Sequence, residues 1–250
     1  MNTQPNSVFK KISILAATLL ALGRLSNSTR QLILRVRREH YTYLSLLRLS
    51  RIVKTIEQIE KKHLDGIFIE AGCALGGSAI VISASKNRSR ALQLYDVFGQ
   101  IPPPSDEDPP EVHQRYQTID SGNSKGLGDD LYYGYQENLE NKVLNNLSVF
   151  GYPPEQHNIS THAGLVQDQL NGKESVAFAH IDVDWYAPVK FCLEQIYPRL
   201  VVGGSIVLDD YNDWGGCKKA TDLFLRENKG SYSLQYTKEA LKITRIKEPQ

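Results

Sequence analysis

Apolar residues recur at helical spacing through residues 28–63, at Leu44, Leu47, Ile52, Ile56 and Ile59, and no proline or glycine interrupts the stretch. That pattern predicts one or two amphipathic helices lying on one face of a sheet. Beyond them short apolar runs alternate with helical stretches. Residues 66–71, 91–95, 158–162, 176–183 and 205–208 read as strands. Residues 77–86, 130–150, 186–197 and 217–228 read as helices, the third stopped by Pro198. Strand followed by helix, repeated, predicts a doubly wound, mostly parallel Rossmann-like sheet. Residues 232–236 and 240–246 add two strands around a turn at Thr237-Lys238-Glu239, an antiparallel hairpin closing one edge. Residues 99–128, with Pro102-Pro103-Pro104 and Pro109-Pro110, read as one long loop, a length that in a compact domain suggests a lid or disorder.

At the start, Lys10 and Lys11 precede an apolar run over residues 12–22, about the length of a signal-peptide core and too short to span a bilayer. No small-x-small cleavage site follows, so the run is expected to be a surface helix or part of a homo-oligomer interface, without stable membrane insertion. A chain of 250 residues suits one large domain, here with residues 1–63 as a helical extension packed on residues 64–250. Twenty-nine Lys and Arg balance 28 Asp and Glu, leaving a net charge of +1, which argues against nucleic acid and for a small-molecule partner. Cys73, Cys192 and Cys217 are odd in number and lack a Cys-x-x-Cys pair, which fits a reducing, cytoplasmic setting better than disulfides or structural zinc.

Two places carry candidate chemistry. The first is Glu70-Ala71-Gly72-Cys73-Ala74-Leu75-Gly76-Gly77-Ser78, which ends a strand and opens a helix. Gly72 permits close backbone approach, Gly76 and Gly77 a tight turn, and the helix start at Ser78 offers free N–H groups. The spacing is neither that of dinucleotide binders nor a P-loop. Asp96 ends the next strand, where a carboxylate can accept from two ribose hydroxyls, a geometry that serves adenosine. The second is His180-Ile181-Asp182-Val183-Asp184, with Asp209-Asp210-Tyr211 ending the following strand. Strand alternation would turn Asp182 and Asp184 to one face, and parallel pairing would gather all four carboxylates at the sheet's carboxyl edge. Four such charges require protonation or a hard divalent cation, Mg²⁺ by default because no His or Cys stands among them. Asp184 could instead cap the helix near Ala187-Pro188. The other histidines read as structural, with His180 the one to watch; Arg35, Arg37 and Arg38 read as a solvated face, and Tyr132, Tyr133 and Tyr135 as a packing stripe.

At these motifs the chain resembles the macrocin O-methyltransferase (TylF-like) family of class I, S-adenosylmethionine-dependent, metal-assisted methyltransferases, from about Tyr41 to about Arg226. The likeness rests on residues 66–72 with Gly76-Gly77-Ser78, on Asp96-Val97-Phe98-Gly99, on Ile181-Asp182-Val183-Asp184, and on residues 200–211. The resemblance implies that Glu70, Gly72, Gly76, Gly77, Ser78 and Asp96 surround S-adenosyl-L-methionine, that Asp182, Asp209 and Asp210 hold Mg²⁺, and that Asp184 is the general base. It implies a sugar or glycoside hydroxyl as acceptor and a lid over residues 99–128. Where family members often carry Trp-Arg before the glycine pair, this chain has Ala74-Leu75. Rival readings are a catechol or phenol methyltransferase, a nicotinamide-dependent oxidoreductase and a binding module without catalysis.

Overall fold

The computed structural model describes residues 5–237 and 239–247, with side chains from residue 12 onward. Three helices come first: α1 (Pro5–Gly23), α2 (Asn27–Arg38) and α3 (Leu46–Lys61). Ser26 and Ser45 start the second and third by accepting hydrogen bonds from the backbone N–H groups of Thr29 and Arg48. The extension is thus two helices after the first, separated by a link in which His40 adopts a left-handed backbone (φ 61°). The apolar run at residues 12–22 belongs to α1, which packs on α3 while exposing Ile12, Leu15, Leu19 and Leu20. No helix among the described residues is long and apolar enough to cross a membrane.

The rest alternates as expected: β1 (Ile67–Ala71), α4 (Gly77–Ser85), β2 (Leu92–Asp96), α5 (Pro110–Asp120), α6 (Leu139–Val149), α7 (Pro154–His157), β3 (Ile159–Ala163), α8 (Val166–Gln169), β4 (Val176–Ile181), α9 (Tyr186–Ile196), β5 (Leu200–Leu208), α10 (Gly215–Glu227), β6 (Tyr232–Tyr236) and β7 (Leu241–Arg245). The sheet runs β3-β2-β1-β4-β5-β7-β6, parallel through β5, with β7 antiparallel to both β5 and β6. The expected hairpin is present, although Lys238 in its turn lies outside the described residues.

Successive residues of β1 feed opposite cores. Phe68 packs edge to face on Phe178 of β4 (ring centroids 5.4 Å apart) in a layer with Ile33, Ile52, Ile56 and Val143. Ile69 and Ala71 join Val189, Leu193, Ile196 and Phe224 beneath α9 and α10. Each fully buried aliphatic side chain contributes about 1.5–3 kcal/mol, so the two layers fix the sheet between helices on both sides.

Four expected boundaries move. The loop over residues 99–128 contains α5, because Pro109-Pro110 opens a helix: Pro110 takes its first position, where a missing N–H costs nothing, and Glu111 lies in its first turn. The helix expected from residue 130 begins only at Leu139, since Asn138 is left-handed (φ 53°) and Tyr133–Tyr135 forms a 3-10 turn. β4 stops at Ile181, two residues early, and β5 starts at Leu200 rather than at residue 205.

Behind the sheet, the buried Lys86 ties the end of α4 to two loops by donating from Nζ to the carbonyls of Asn87 (3.3 Å), Arg88 (3.4 Å), Arg90 (2.8 Å) and His157 (2.6 Å). Lys86→Met keeps the stem and strands these acceptors, and is expected to lower stability by about 1–3 kcal/mol in a urea titration.

Candidate active site

From β1 the chain winds outward to β2 and β3 on one side, and after β4 to β5 on the other. The crevice between the carboxyl ends of β1 and β4 is therefore the switch point where such sheets bind ligands. Gly72 stands in it with φ 82°, its N–H donating to the Tyr95 carbonyl (2.8 Å), while the N–H of Asp182 donates to the Ala71 carbonyl (2.8 Å). A Cβ on Gly72 would lie 1.9 Å from the Asp182 carbonyl oxygen. The glycine thus allows the two strand ends to close on each other.

The remaining residues of the turn divide. Gly76 is left-handed (φ 81°) as it opens α4. Gly77 is required by the N-terminal extension, since a Cβ there would lie 2.3 Å from the Tyr41 carbonyl oxygen. Ser78 is buried in the first turn of α4 and lines neither cavity described below. Glu70 is fully buried under the crevice and accepts from, or donates to, Nδ1 of His180 at 2.9 Å. Asp96 holds the turn itself: Oδ2 accepts from the N–H groups of Cys73 (2.7 Å) and Ala74 (3.0 Å), and Oδ1 from that of Phe98 (2.8 Å). Burial nonetheless keeps its carboxyl above the usual range.

The carboxylates do converge, but by a turn rather than by strand alternation. β4 has ended, and Asp184 takes a left-handed backbone (φ 55°), rare for a non-glycine residue. Its N–H donates to Oδ2 of Asp210 (3.2 Å), and Trp214 lines the same cavity. One oxygen each of Asp182, Asp209 and Asp210 lies within 4.8 Å of the others. Burial, then Asp210 and Asp209, push Asp182 well above the carboxylate range, and burial with Asp210 does the same to Asp184. Asp210 rises to about 7 through burial and the charge of Asp209. Oδ1 of Asp209 is buried without a hydrogen-bond partner. An all-oxygen trio, mutually repelling and with an orphaned buried acceptor, suits a hard divalent cation. The cap that Asp184 might have supplied to α9 comes from Asp108, whose Oδ1 accepts from the Tyr186 N–H (2.8 Å).

Two cations act on Asp209. Arg48 of α3 forks to Asp209 Oδ2 (2.5 Å) and to Asp213. His180 lies fully buried, with Nε2 3.9 Å from Asp209 Oδ1, so a histidine does adjoin the aspartates. Burial depresses its imidazole, but Asp209 and Glu70 outweigh this and lift it to about 9, by charge rather than a formed bond on the Asp209 side. Arg48 was invisible as a partner because 161 residues separate it from Asp209.

Two adjoining cavities open here, sharing Gly72, Asp96, Tyr133, Asp182, Asp184 and Trp185. One of about 310 Å³ runs along Asp96 and Val97 to Leu165–Gln167, roofed by Pro102 to Pro104. The roof is tied down by Trp185, whose Nε1 donates to the Pro102 carbonyl (3.0 Å). The other, about 250 Å³, holds the aspartates with Arg48, Arg115, Tyr43, Tyr132 and Trp214. Tyr132 packs on Tyr133 and Tyr135 (ring centroids 4.5 and 5.0 Å apart), and Tyr132 and Tyr133 also line a cavity, whereas Arg37 donates to the Thr42 carbonyl (3.0 Å) rather than lying wholly in solvent.

The model of the macrocin O-methyltransferase (TylF) family matches residues 5–237. Demethyldecarbamoylnovobiocin O-methyltransferase of Streptomyces niveus is 25% identical over 193 residues, covering 73% of this chain and 66% of that protein. Mycinamicin III 3''-O-methyltransferase of Micromonospora griseorubida is 25% identical over 182 residues, covering 68% and 65%. The chain thus spans just under two thirds of the length of these relatives. Among solved structures, the O-methyltransferase NovP superposes with a TM-score of 0.68 at 22% identity over 83% of both chains. An O-methyltransferase from Bacillus cereus in complex with SAH superposes with a TM-score of 0.55 at 11% identity, over 90% of this chain and 93% of that one. With a family model matched across nearly all its length and the fold shared with solved O-methyltransferases, the chain belongs to the macrocin O-methyltransferase (TylF) family.

Proposed function

We propose that this protein transfers the methyl group of S-adenosylmethionine to a hydroxyl of a small glycoside, with Asp184 accepting the hydroxyl's proton. The observation that carries the reading is the meeting of Asp182 and Asp184, on the wall shared by two cavities, with Asp209 and Asp210 in the smaller one. The larger, more apolar cavity, beside Asp96 and Leu165–Gln167, suits the adenosine part, and the smaller one suits the acceptor. Sugar acceptors are favoured by a further relative from Streptomyces olivaceus, an O-methyltransferase 25% identical over 177 residues whose name includes a rhamnosyl group, and the methyl donor by the SAH complex of the structural neighbour.

The reaction is a displacement: the new bond joins the acceptor oxygen to the methyl carbon, the carbon–sulfur bond breaks with its electrons going to sulfur, and the proton leaves to Asp184. Placement is most of the task, because the sulfonium already activates the methyl group. Tyr133 and Trp185, on the wall common to both cavities, position the two substrates and exclude water between them. Burial and Asp210 make Asp184 a stronger base than a free carboxylate. Asp182, Asp209 and Asp210 would hold a divalent cation, which would supply neutralising charge and lower the pKa of a neighbouring hydroxyl.

Titration calorimetry tests the assignment of the larger cavity. S-adenosylmethionine is expected to bind the parent protein and to lose at least tenfold in affinity in Ala187→Trp, which fills that cavity from α9. Equal affinities in two folded proteins would sink the assignment. The acceptor class is tested by methyl transfer to glycosides against catechols; a preference for catechols would replace the sugar reading. The cation has its own assay: Mg²⁺ at a hundred times its Kd is expected to stabilise the protein by about 2.7 kcal/mol, reversed by a chelator, and a flat melting profile would count against it.

A further inference from the structure

A third cavity, about 450 Å³, lies between α1, α3 and the β6–β7 hairpin and shares no residue with the larger active-site cavity. Its charged lining is Arg24, Arg48, Arg51, Lys54 and Lys242 against a single acid, Asp209. Arg48 is spent on Asp209 and Asp213, and Lys54 on Glu57 (2.6 Å). Among the described residues Arg24, Arg51 and Lys242 form no ion pair. Glu239 acts on Arg51 only through space, its own carboxylate accepting from the Ser45 hydroxyl (2.6 Å). Nη1 of Arg51 is buried with no hydrogen-bond partner. Burial disfavours the charged forms of Arg51 and Lys242, with Arg48 adding to the first effect and Lys62 to the second. Uncompensated, partly buried cations of this kind cost stability unless an anion joins them.

We infer that this cavity binds the phosphoryl group of a small anionic molecule, held by Arg51 and Lys242. A guanidinium with a nitrogen that lacks a hydrogen-bond partner matches phosphoryl oxygens, and a doubly charged group answers the excess better than a carboxylate. The wall contributed by Ala17, Leu20 and Ala21 of α1 leaves apolar space for an organic body. Arg48 and Asp209 line both this cavity and the one holding the aspartates, so an occupant would lie against the wall that the two cavities share. The inference is independent of methyl transfer.

The test uses the full chain with a chelator present, so that no metal in the aspartate trio can recruit the anion. Inorganic phosphate is expected to raise Tm above sodium chloride of equal ionic strength, and Arg51→Gln and Lys242→Gln each to weaken that binding at least tenfold. In chloride alone Arg51→Gln should melt at or above the parent temperature, because it removes a charge with no partner. Glucose 6-phosphate distinguishes the sources: tighter binding than phosphate assigns the site to a phosphorylated organic molecule, and equal binding to the phosphoryl group alone. A phosphate effect no larger than that of chloride, an unchanged effect in Arg51→Gln, or a lower Tm of that variant in chloride would each overturn the inference.

Discussion

Asp184→Asn is expected to lower kcat for methyl transfer by about 10²- to 10⁴-fold, the range for removing a positioned general base. Asparagine is the informative replacement because Asp184 adopts φ 55°, a conformation that asparagine tolerates better than most residues. Its N–H can still donate to Asp210, so the turn that aims the side chain is preserved. What disappears is the capacity to take a proton, together with one negative charge from a crowded cluster. Affinity for S-adenosylmethionine should therefore stay within about twofold, and Tm should hold or rise as repulsion from Asp210 is relieved. Steady-state kinetics, calorimetry and a melt on one preparation check all three. A variant retaining more than about a tenth of parent kcat would assign proton acceptance to another group.

Gly72→Ala is expected to be the most damaging single methyl in the chain, costing about 3 kcal/mol or more. Two costs combine. The left-handed backbone at φ 82° is strained for alanine, and the new Cβ would lie 1.9 Å from the Asp182 carbonyl, which is backbone and cannot rotate aside. Relief requires the ends of β1 and β4 to part, which would break the hydrogen bond from the Asp182 N–H to Ala71 and move Asp182 away from Asp209 and Asp210. Guanidinium unfolding should show the loss, and Mg²⁺ titration of the surviving folded fraction should show weakened binding. Gly122→Ala is the control: it too has a positive φ, 77°, but nothing lies within 4 Å of its Cβ, so it should cost only the backbone strain. Equal losses in the two variants would show that strand closure is not what Gly72 supplies.

The period of apolar residues was enough to order the strands and helices, because burial on both faces of a parallel sheet leaves long apolar runs that polar turns interrupt. The carboxylates were legible for a related reason: strand ends are short, and charged residues directly after a buried strand have few places to go. Boundaries failed where one residue type serves two purposes. Pro109-Pro110 reads as a breaker yet begins α5, and residues 130–138 carry no strong breaker apart from Gly134 although Asn138 turns left-handed. Contacts escaped notice where the partner is remote. Gly77 faces the Tyr41 carbonyl, Asp96 clamps the Cys73 turn, and Glu70 pairs with a histidine 110 residues away. Arg48 belongs to a helix whose periodicity announces only packing, and no local pattern could have joined it to Asp209.

The order of β6 and β7 bears on what happens when the chain is cut between them. Because β7, not β6, lies against β5, the place beside Leu200–Leu208 is filled only by Leu241–Arg245, which follows β6 in the chain. A chain cut after Tyr236 would keep β6 without its neighbour and leave the apolar β5 as a bare edge, a template for pairing with other chains. Proteolytic clipping in the turn would therefore be expected to cause aggregation before it caused any loss of ligand chemistry.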